Sequence, residues 1–363
     1  MKTLLVLANG TVLEGQHFGA EGTRVGEVVF NTGMVGYEET LTDPSYYGQI
    51  ITQSYPLVGN YGINGEDAES DRIWAFGYIV RELCDAPSNF RCKKTLDAYL
   101  KEQGIIGLAG IDTRSLVRLL RESGVMNGAL TTQYASAEEA LADQELMEAI
   151  RSYTVTKAVA SVTCQEPTVL GEGGKYHVAL FDFGCKNNIE RSLVARDCKV
   201  TVIPATTTAS QLKEMNLDGI MLSNGPGDPA ENVEIIHNLK EIAQLGLPIF
   251  GICLGHQLMA LAQGAQTQKL KYGHRGVNQP VTDLAHGRTY ITSQNHGYAV
   301  VGESLDASVG VVSHVNANDG TVEGIRYTNM DCFTVQFHPE ACGGPKDTDY
   351  LFDEFVDMMK KER

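Results

Sequence analysis

Pro248-Ile249-Phe250-Gly251-Ile252-Cys253-Leu254-Gly255-His256-Gln257 decides how this chain is read. Its apolar start has the character of a buried strand. It ends in Gly-x-Cys-x-Gly and passes directly into a helical pattern from His256 to Gln263. That is the layout of a nucleophile elbow with cysteine in place of serine. A strand turning sharply into a helix crowds the neighbours of the nucleophile, so side chains at 251 and 255 would clash. The helix N-terminus then directs N–H groups and partial positive charge at the sulfur, which favours thiolate. A cysteine taken alone is most often a small buried hydrophobe. The two glycines, the strand before and the helix after make Cys253 a candidate nucleophile instead.

Around the elbow the chain alternates strand and helix. Strand patterns cover His177–Phe183, Lys199–Ile203, Gly219–Ser223 and Pro248–Phe250. Helical ones cover Asn188–Ala195, Ser210–Met215 and Asn232–Leu245. Near-continuous apolar strands joined by helical crossovers predict a doubly wound, mostly parallel sheet, whose ligands sit at the carboxyl ends of the strands. Cys253, the Ser223-Asn224-Gly225-Pro226-Gly227-Asp228-Pro229 loop and the residues after the last strand, Cys332–Phe337, all fall at such ends.

That last strand delivers His338-Pro339-Glu340. Imidazole can take a proton from a thiol and return it to a leaving group. Glu340, two residues on along an extended backbone, projects with His338 and can orient it. In the 223–229 loop, Gly225 and Gly227 allow close backbone approach to a ligand. With the Leu254 N–H they can form an oxyanion hole; the plainer reading is a Pro-Gly turn capped by Asp228.

The first half has a different rhythm. Short strand runs such as Glu27–Phe30 and Gly48–Thr52 are separated by turn signals, and Asn9-Gly10 predicts a tight hairpin turn. A helix follows Asp112-Thr113, with Leu116, Val117, Leu119 and Leu120 on one side and Gly124 as its stop; Ala135–Ser152 is also helical. These patterns predict a mixed β-rich α/β domain over 1–152, a linker over 153–175 and the doubly wound domain over 176–363. The Gly171-Glu172-Gly173-Gly174-Lys175 cluster lacks the spacing and the Ser/Thr of a phosphate-binding loop.

Lys+Arg 29 against Asp+Glu 45 gives a net charge of −16, without basic runs, which argues against nucleic acid as a ligand. The eight cysteines form no Cys-x-x-Cys pair, so no zinc ribbon or thioredoxin motif is read and no metal site is expected. With no secretion signal recognised and no apolar stretch long enough to span a bilayer, reduced thiols and a cytoplasmic, membrane-free protein are expected.

Gly-Ile-Cys-Leu-Gly-His-Gln, Ser-Asn-Gly-Pro-Gly-Asp-Pro and Phe-His-Pro-Glu together resemble the class I (Cys-His-Glu) glutamine amidotransferase domain, in the family's order across residues 176–360. In the first half, Phe30–Glu39, Thr42–Tyr46, Pro56–Gly62 and Gly110–Arg114 resemble the amino-terminal domain of the carbamoyl-phosphate synthase small chain. The resemblance implies that Cys253 attacks the glutamine side-chain amide, that His338 shuttles the proton and that Glu340 orients His338. Gly225, Gly227, Leu254, Gln257, Asn295, Gly297 and Tyr298 would hold L-glutamine, and Ser45 would reach it from the first domain. The family often has phenylalanine where Tyr298 stands, a change that a backbone contact tolerates. His256 and His296 lie beside these positions and receive no role. The resemblance further implies no cofactor in this chain. A large partner chain would bind ATP, Mg and bicarbonate, receive ammonia through a tunnel and make carbamoyl phosphate for arginine or pyrimidine synthesis. A stand-alone γ-glutamyl hydrolase, an amidotransferase subunit of another synthase, and a scaffolding chain with a dead site are the rival readings.

Overall fold

The computed structural model describes residues 1–360, which divide into two compact units, Met1–Thr156 and a second that starts at Lys157. The first is built on a closed barrel of seven strands. Their order is Lys2–Leu7, Val12–Gly19, Ile106–Ala109, Gly77–Ile79, Gln49–Gln53, Thr23–Asn31 and Met126–Thr131, the last returning to the first. Asn9-Gly10 makes the expected hairpin: Gly10 has φ 85° and Val6 pairs with Val12 across it. The Asp112 side chain caps helix Thr113–Ser123 by accepting from the Ser115 N–H at 3.0 Å, Leu116 and Leu120 are buried, and Gly124 (φ 91°) ends it. The Ala135–Ser152 stretch is two helices rather than one, Ala137–Ala142 and Gln144–Ser152. Asp143 breaks it because its carboxylate caps the second helix, accepting from the Glu145 and Leu146 N–H groups.

The second unit carries a ten-stranded sheet. Five parallel strands form its centre, in the order Cys198–Pro204, Tyr176–Asp182, Gly219–Leu222, Ile249–Ile252 and Cys332–Val335. Each is almost wholly buried, as expected for a sheet covered on both faces. Phe250 stacks on Phe333 with ring centroids 4.4 Å apart and meets Phe352 of helix Tyr350–Met359 edge-on at 5.5 Å.

The expected linker over 153–175 is structured in part. It holds helix Ala158–Val162 and strand Thr168–Leu170, which pairs antiparallel with Cys198–Pro204 and closes one sheet edge. The opposite edge is a block of antiparallel strands, Val322–Tyr327, Gly310–Asn316, Thr267–Asp283 and Arg288–Val300, that the sequence patterns do not resolve. Among the described residues, no helix is long and apolar enough to cross a membrane.

Candidate active site

Strand Ile249–Ile252 ends at Cys253, and helix Leu254–Ala262 begins with the next residue. Cys253 has φ 52° and ψ −103°, a backbone region that L side chains rarely enter. Three contacts hold it there. Its N–H donates to Val335 O at 2.8 Å, the Gly255 N–H donates to Ser223 O at 3.0 Å, and the Gln257 N–H returns to Cys253 O at 3.1 Å. Both glycines are sterically required. A Cβ on Gly255 would stand 2.5 Å from Leu222 O, and one on Gly251 would stand 2.9 Å from a Thr334 methyl and 3.1 Å from the Gly255 backbone. The Leu254 N–H opens the helix and has no intrahelical carbonyl to reach.

The neighbouring strand brings the candidate base. Ile252 pairs with Val335, so His338 emerges three residues past that pair, its own N–H donating to Ser293 O at 2.9 Å. His338 Nδ1 lies 2.8 Å from Glu340 Oε1, and both side chains are buried. A carboxylate accepts, so Nδ1 carries the proton on that side. His338 Nε2, also buried, makes no hydrogen bond among the described residues. This is the tautomer that leaves Nε2 able to accept a proton, as a general base requires.

Glu340 has a second partner, Lys186 Nζ, at 2.6 Å from the same Oε1. Burial alone pushes the Glu340 carboxyl up. The Lys186 ammonium and then His338 outweigh that burial and hold it at about 2, so it is a fixed anion at neutral pH.

The glutamine-holding candidates of this unit converge here. Gly225 packs beside Leu254 and against the backbone of Phe183, whose carbonyl a Cβ would meet at 2.2 Å. Gly227 has φ 88°, and Asp228 caps the turn that follows by accepting from the Ala230 N–H. Cys253 Sγ lies 3.7 Å from Asn295 O. Gln257 donates through Nε2 to Tyr298 O at 2.7 Å and to Gln336 Oε1 at 2.9 Å. Its amide protons are therefore engaged by the protein, and the oxygen is the end open to a ligand. Asn295, Gly297 and Tyr298 lie half-buried on Arg288–Val300. Ser45 belongs to the first unit, in the turn Pro44–Tyr46, where its N–H donates to Asp43 Oδ1 at 2.9 Å.

The model of the carbamoyl-phosphate synthase small chain, CPSase domain, matches residues 5–130, and that of glutamine amidotransferase class-I matches residues 179–358. The chain is 50% identical to the carbamoyl phosphate synthase small chain of Syntrophotalea carbinolica over 378 residues, covering 100% of this chain and 99% of that protein. The Clostridium perfringens small chain is 50% identical over 359 residues (98% and 99% covered), and the Bacillus cereus one 51% over 360 (99% and 96%). This chain belongs to the carbamoyl-phosphate synthase small-chain family.

One residue of this small chain's site escapes motif reading. Lys186 sits at the N-cap of helix Asn187–Val194, where the helix dipole disfavours a cation. A buried lysine in that position needs an anion, and Glu340 supplies it. That misfit between charge and helix end is the sequence signal for Lys186. His256, by contrast, is a core residue. It is fully buried, burial and then His314 push its pKa down to about 3, and Nδ1 meets Thr334 Oγ1 at 2.8 Å. His296 donates through Nδ1 to Tyr298 O at 2.8 Å, so it shapes the backbone that carries the glutamine candidates.

Proposed function

We propose that this small chain is the glutamine-hydrolysing subunit of a carbamoyl-phosphate synthase, supplying ammonia to a large partner chain. The observation that supports it best is the buried His338–Glu340 pair at 2.8 Å, with His338 Nε2 left without a partner one strand away from the Cys253 elbow. Cys253 passes its proton to His338 Nε2 and attacks the side-chain carbonyl carbon of glutamine. The Leu254 N–H, with the loop at Gly225 and Gly227, steadies the resulting oxyanion. His338 then returns the proton to the departing nitrogen, ammonia leaves, and a γ-glutamyl thioester remains on the sulfur. Water gives a proton to Nε2, adds to the thioester and releases glutamate, with the proton returning to sulfur.

Gln257, Asn295, Gly297 and Tyr298 hold the substrate, and Ser45 is assigned to glutamine binding with them. Ammonia travels to the large chain, where ATP, Mg and bicarbonate are used to make carbamoyl phosphate. This chain itself needs no cofactor for hydrolysis, and it works in the cytoplasm.

The test uses the assembled complex. Cys253→Ser is expected to abolish carbamoyl phosphate formation from glutamine while leaving synthesis from added ammonium intact. Equal loss of both, in a complex that still assembles, overturns the assignment. A glutaminase rate unchanged by the large chain with ATP and bicarbonate would favour the stand-alone hydrolase.

A further inference from the structure

Behind the glutamine candidates, three antiparallel strands bring His274, His296 and Glu323 together in the interior of the second unit. One donor atom from each lies within 4.8 Å of the others. The hydrogen bonds around them decide what the group can hold.

Each imidazole is anchored on its outer side. His274 Nε2 meets Asp319 Oδ2 at 2.9 Å, and His296 Nδ1 meets Tyr298 O at 2.8 Å. Both partners only accept, so both of those nitrogens carry protons. For a neutral ring, the inner nitrogen then presents a lone pair: His274 Nδ1 faces Glu323 Oε1 at 3.5 Å, and His296 Nε2 faces Gln294 Oε1 at 3.1 Å.

The second of these contacts is frustrated. The Thr292 hydroxyl donates to Gln279 O at 2.9 Å, so its oxygen must accept from Gln294 Nε2, at 3.2 Å. That fixes the Gln294 amide with its oxygen towards the His296 lone pair. Glu323 Oε1 accepts from Asn316 Nδ2 at 3.1 Å, while its other oxygen, Oε2, is fully buried with no partner. Lone pairs from four side chains thus converge with no proton to share between His296 and Gln294.

An imidazole held from behind by a carboxylate or a backbone carbonyl, with its other nitrogen turned into a cluster of lone pairs, is the arrangement of a metal-ligating histidine. The spacings agree. Ligands about 2.1 Å from a zinc-type ion stand roughly 3.0–3.4 Å from each other, close to the 3.1 and 3.5 Å seen here. The wider separations in the group require side chains to draw in on binding.

We propose that His274 Nδ1, His296 Nε2 and the Glu323 carboxylate form a binding site for a divalent, zinc-type transition-metal ion, with Gln294 Oε1 as a further oxygen donor. Asp319, Asn316 and the Tyr298 carbonyl hold these ligands from behind. The ion takes the place of the proton that His274 and Glu323 otherwise share. It ties together the strands Thr267–Asp283, Arg288–Val300 and Val322–Tyr327, and so fixes the backbone from Asn295 to Tyr298. Its role is structural: it holds these strands, and the backbone they carry, in one arrangement.

The full-length chain, stripped with chelator and carrying Cys253→Ser so that the active-site thiol does not compete, is titrated with Zn2+. One saturable equivalent is expected, with the melting temperature raised by about 5–10 °C once the free ion is well above its Kd. Glu323→Gln should weaken binding by about 100-fold or more, and Asp319→Asn by about 10- to 100-fold. Should these variants misfold, Co2+ bound to the wild-type chain provides the second reading. Visible d–d bands without a thiolate charge-transfer band support nitrogen and oxygen ligands. No saturable binding, binding that survives Glu323→Gln in a folded protein, or a Co2+ spectrum dominated by thiolate overturns the site.

Discussion

Removing the charge of Glu340 should destabilise the second unit far more than removing it together with the charge of Lys186. The two side chains are buried, at 0% and 7% exposure, and Lys186 Nζ and His338 Nδ1 meet the same carboxylate oxygen at 2.6 and 2.8 Å. The fall of Glu340 from an ordinary 4.5 to about 2 corresponds to roughly 3 kcal/mol of preference for the ionised form in the folded state. Glu340→Gln takes the carboxylate at 2.6 Å away from a buried ammonium, and Lys186→Met takes the ammonium away from a buried carboxylate. Breaking a buried pair from one side costs about 3–5 kcal/mol, whereas removing both charges is far cheaper. The double variant is therefore expected to be no less stable than either single one, a coupling of about 3 kcal/mol. The single tryptophan, Trp74, belongs to the first unit, so its fluorescence reports the wrong half. Hydrogen exchange of the Cys332–Val335 amides, protected by pairing with Ile249–Ile252, reads the second unit directly. The pH dependence has a fixed sign. The folded-state carboxyl is depressed, so its contribution is full above about pH 4.5 and is lost as pH falls towards 2; Glu340→Gln removes that loss. Single effects that simply add in the double variant would refute the reasoning.

Gly255→Ala puts a Cβ 2.5 Å from Leu222 O, a backbone atom that cannot swing aside. A loss of about 1–3 kcal/mol and a strong fall in glutaminase kcat are expected, from denaturant unfolding and steady-state rates. Asp112→Ala removes the cap on helix Thr113–Ser123 in the first unit. It should cost about 1 kcal/mol in first-unit stability, followed by Trp74 fluorescence, and leave the glutaminase kcat unchanged.

The parallel half of the second unit was legible because one-dimensional signals coincide there. Apolar runs that end in Gly-x-Cys-x-Gly, Asn-Gly-Pro-Gly and His-Pro-Glu mark strand ends, and strand ends of such a sheet share one edge. The antiparallel edge was not legible. Strand Thr267–Asp283 is 17 residues long, mixes Lys, Arg, Gln and Asn with apolar residues, and shifts register against its partner between Lys269 and His274 and between Gly276 and Gln279. Such bulges interrupt the period-2 pattern on which strand reading depends. The pairing of Lys186 with Glu340 was hidden for another reason: 154 residues separate them, and only the sheet order makes them neighbours. In the 153–175 stretch, Pro and Gly read as a linker, while the short strand Thr168–Leu170 is too brief to carry a pattern.

The elbow carries a strain that a pair of substitutions can expose. Cys253 adopts φ 52° and ψ −103° although it is not glycine, and residues held in such regions cost of order 1–3 kcal/mol. The surroundings enforce it: the N–H is fixed to Val335 O, the carbonyl to the Gln257 N–H, and every residue from Gly251 to Ala260 is buried. Cys253→Ala and Cys253→Gly both remove the buried sulfur and should both abolish glutaminase activity. They differ in the backbone. In an ordinary α or β conformation alanine is the more stable by about 0.5–1 kcal/mol, because glycine loses more freedom on folding. At a positive φ the order inverts, since glycine has no Cβ to crowd the adjacent backbone. Cys253→Gly is therefore expected to be the more stable of the two, by about 1 kcal/mol, in exchange measurements on the second unit. Alanine equal to or better than glycine would mean that Cys253 is relaxed at the elbow. The conformation that presents the sulfur would then carry no cost, and the strain that distinguishes a nucleophile's turn from an ordinary strand end would be absent.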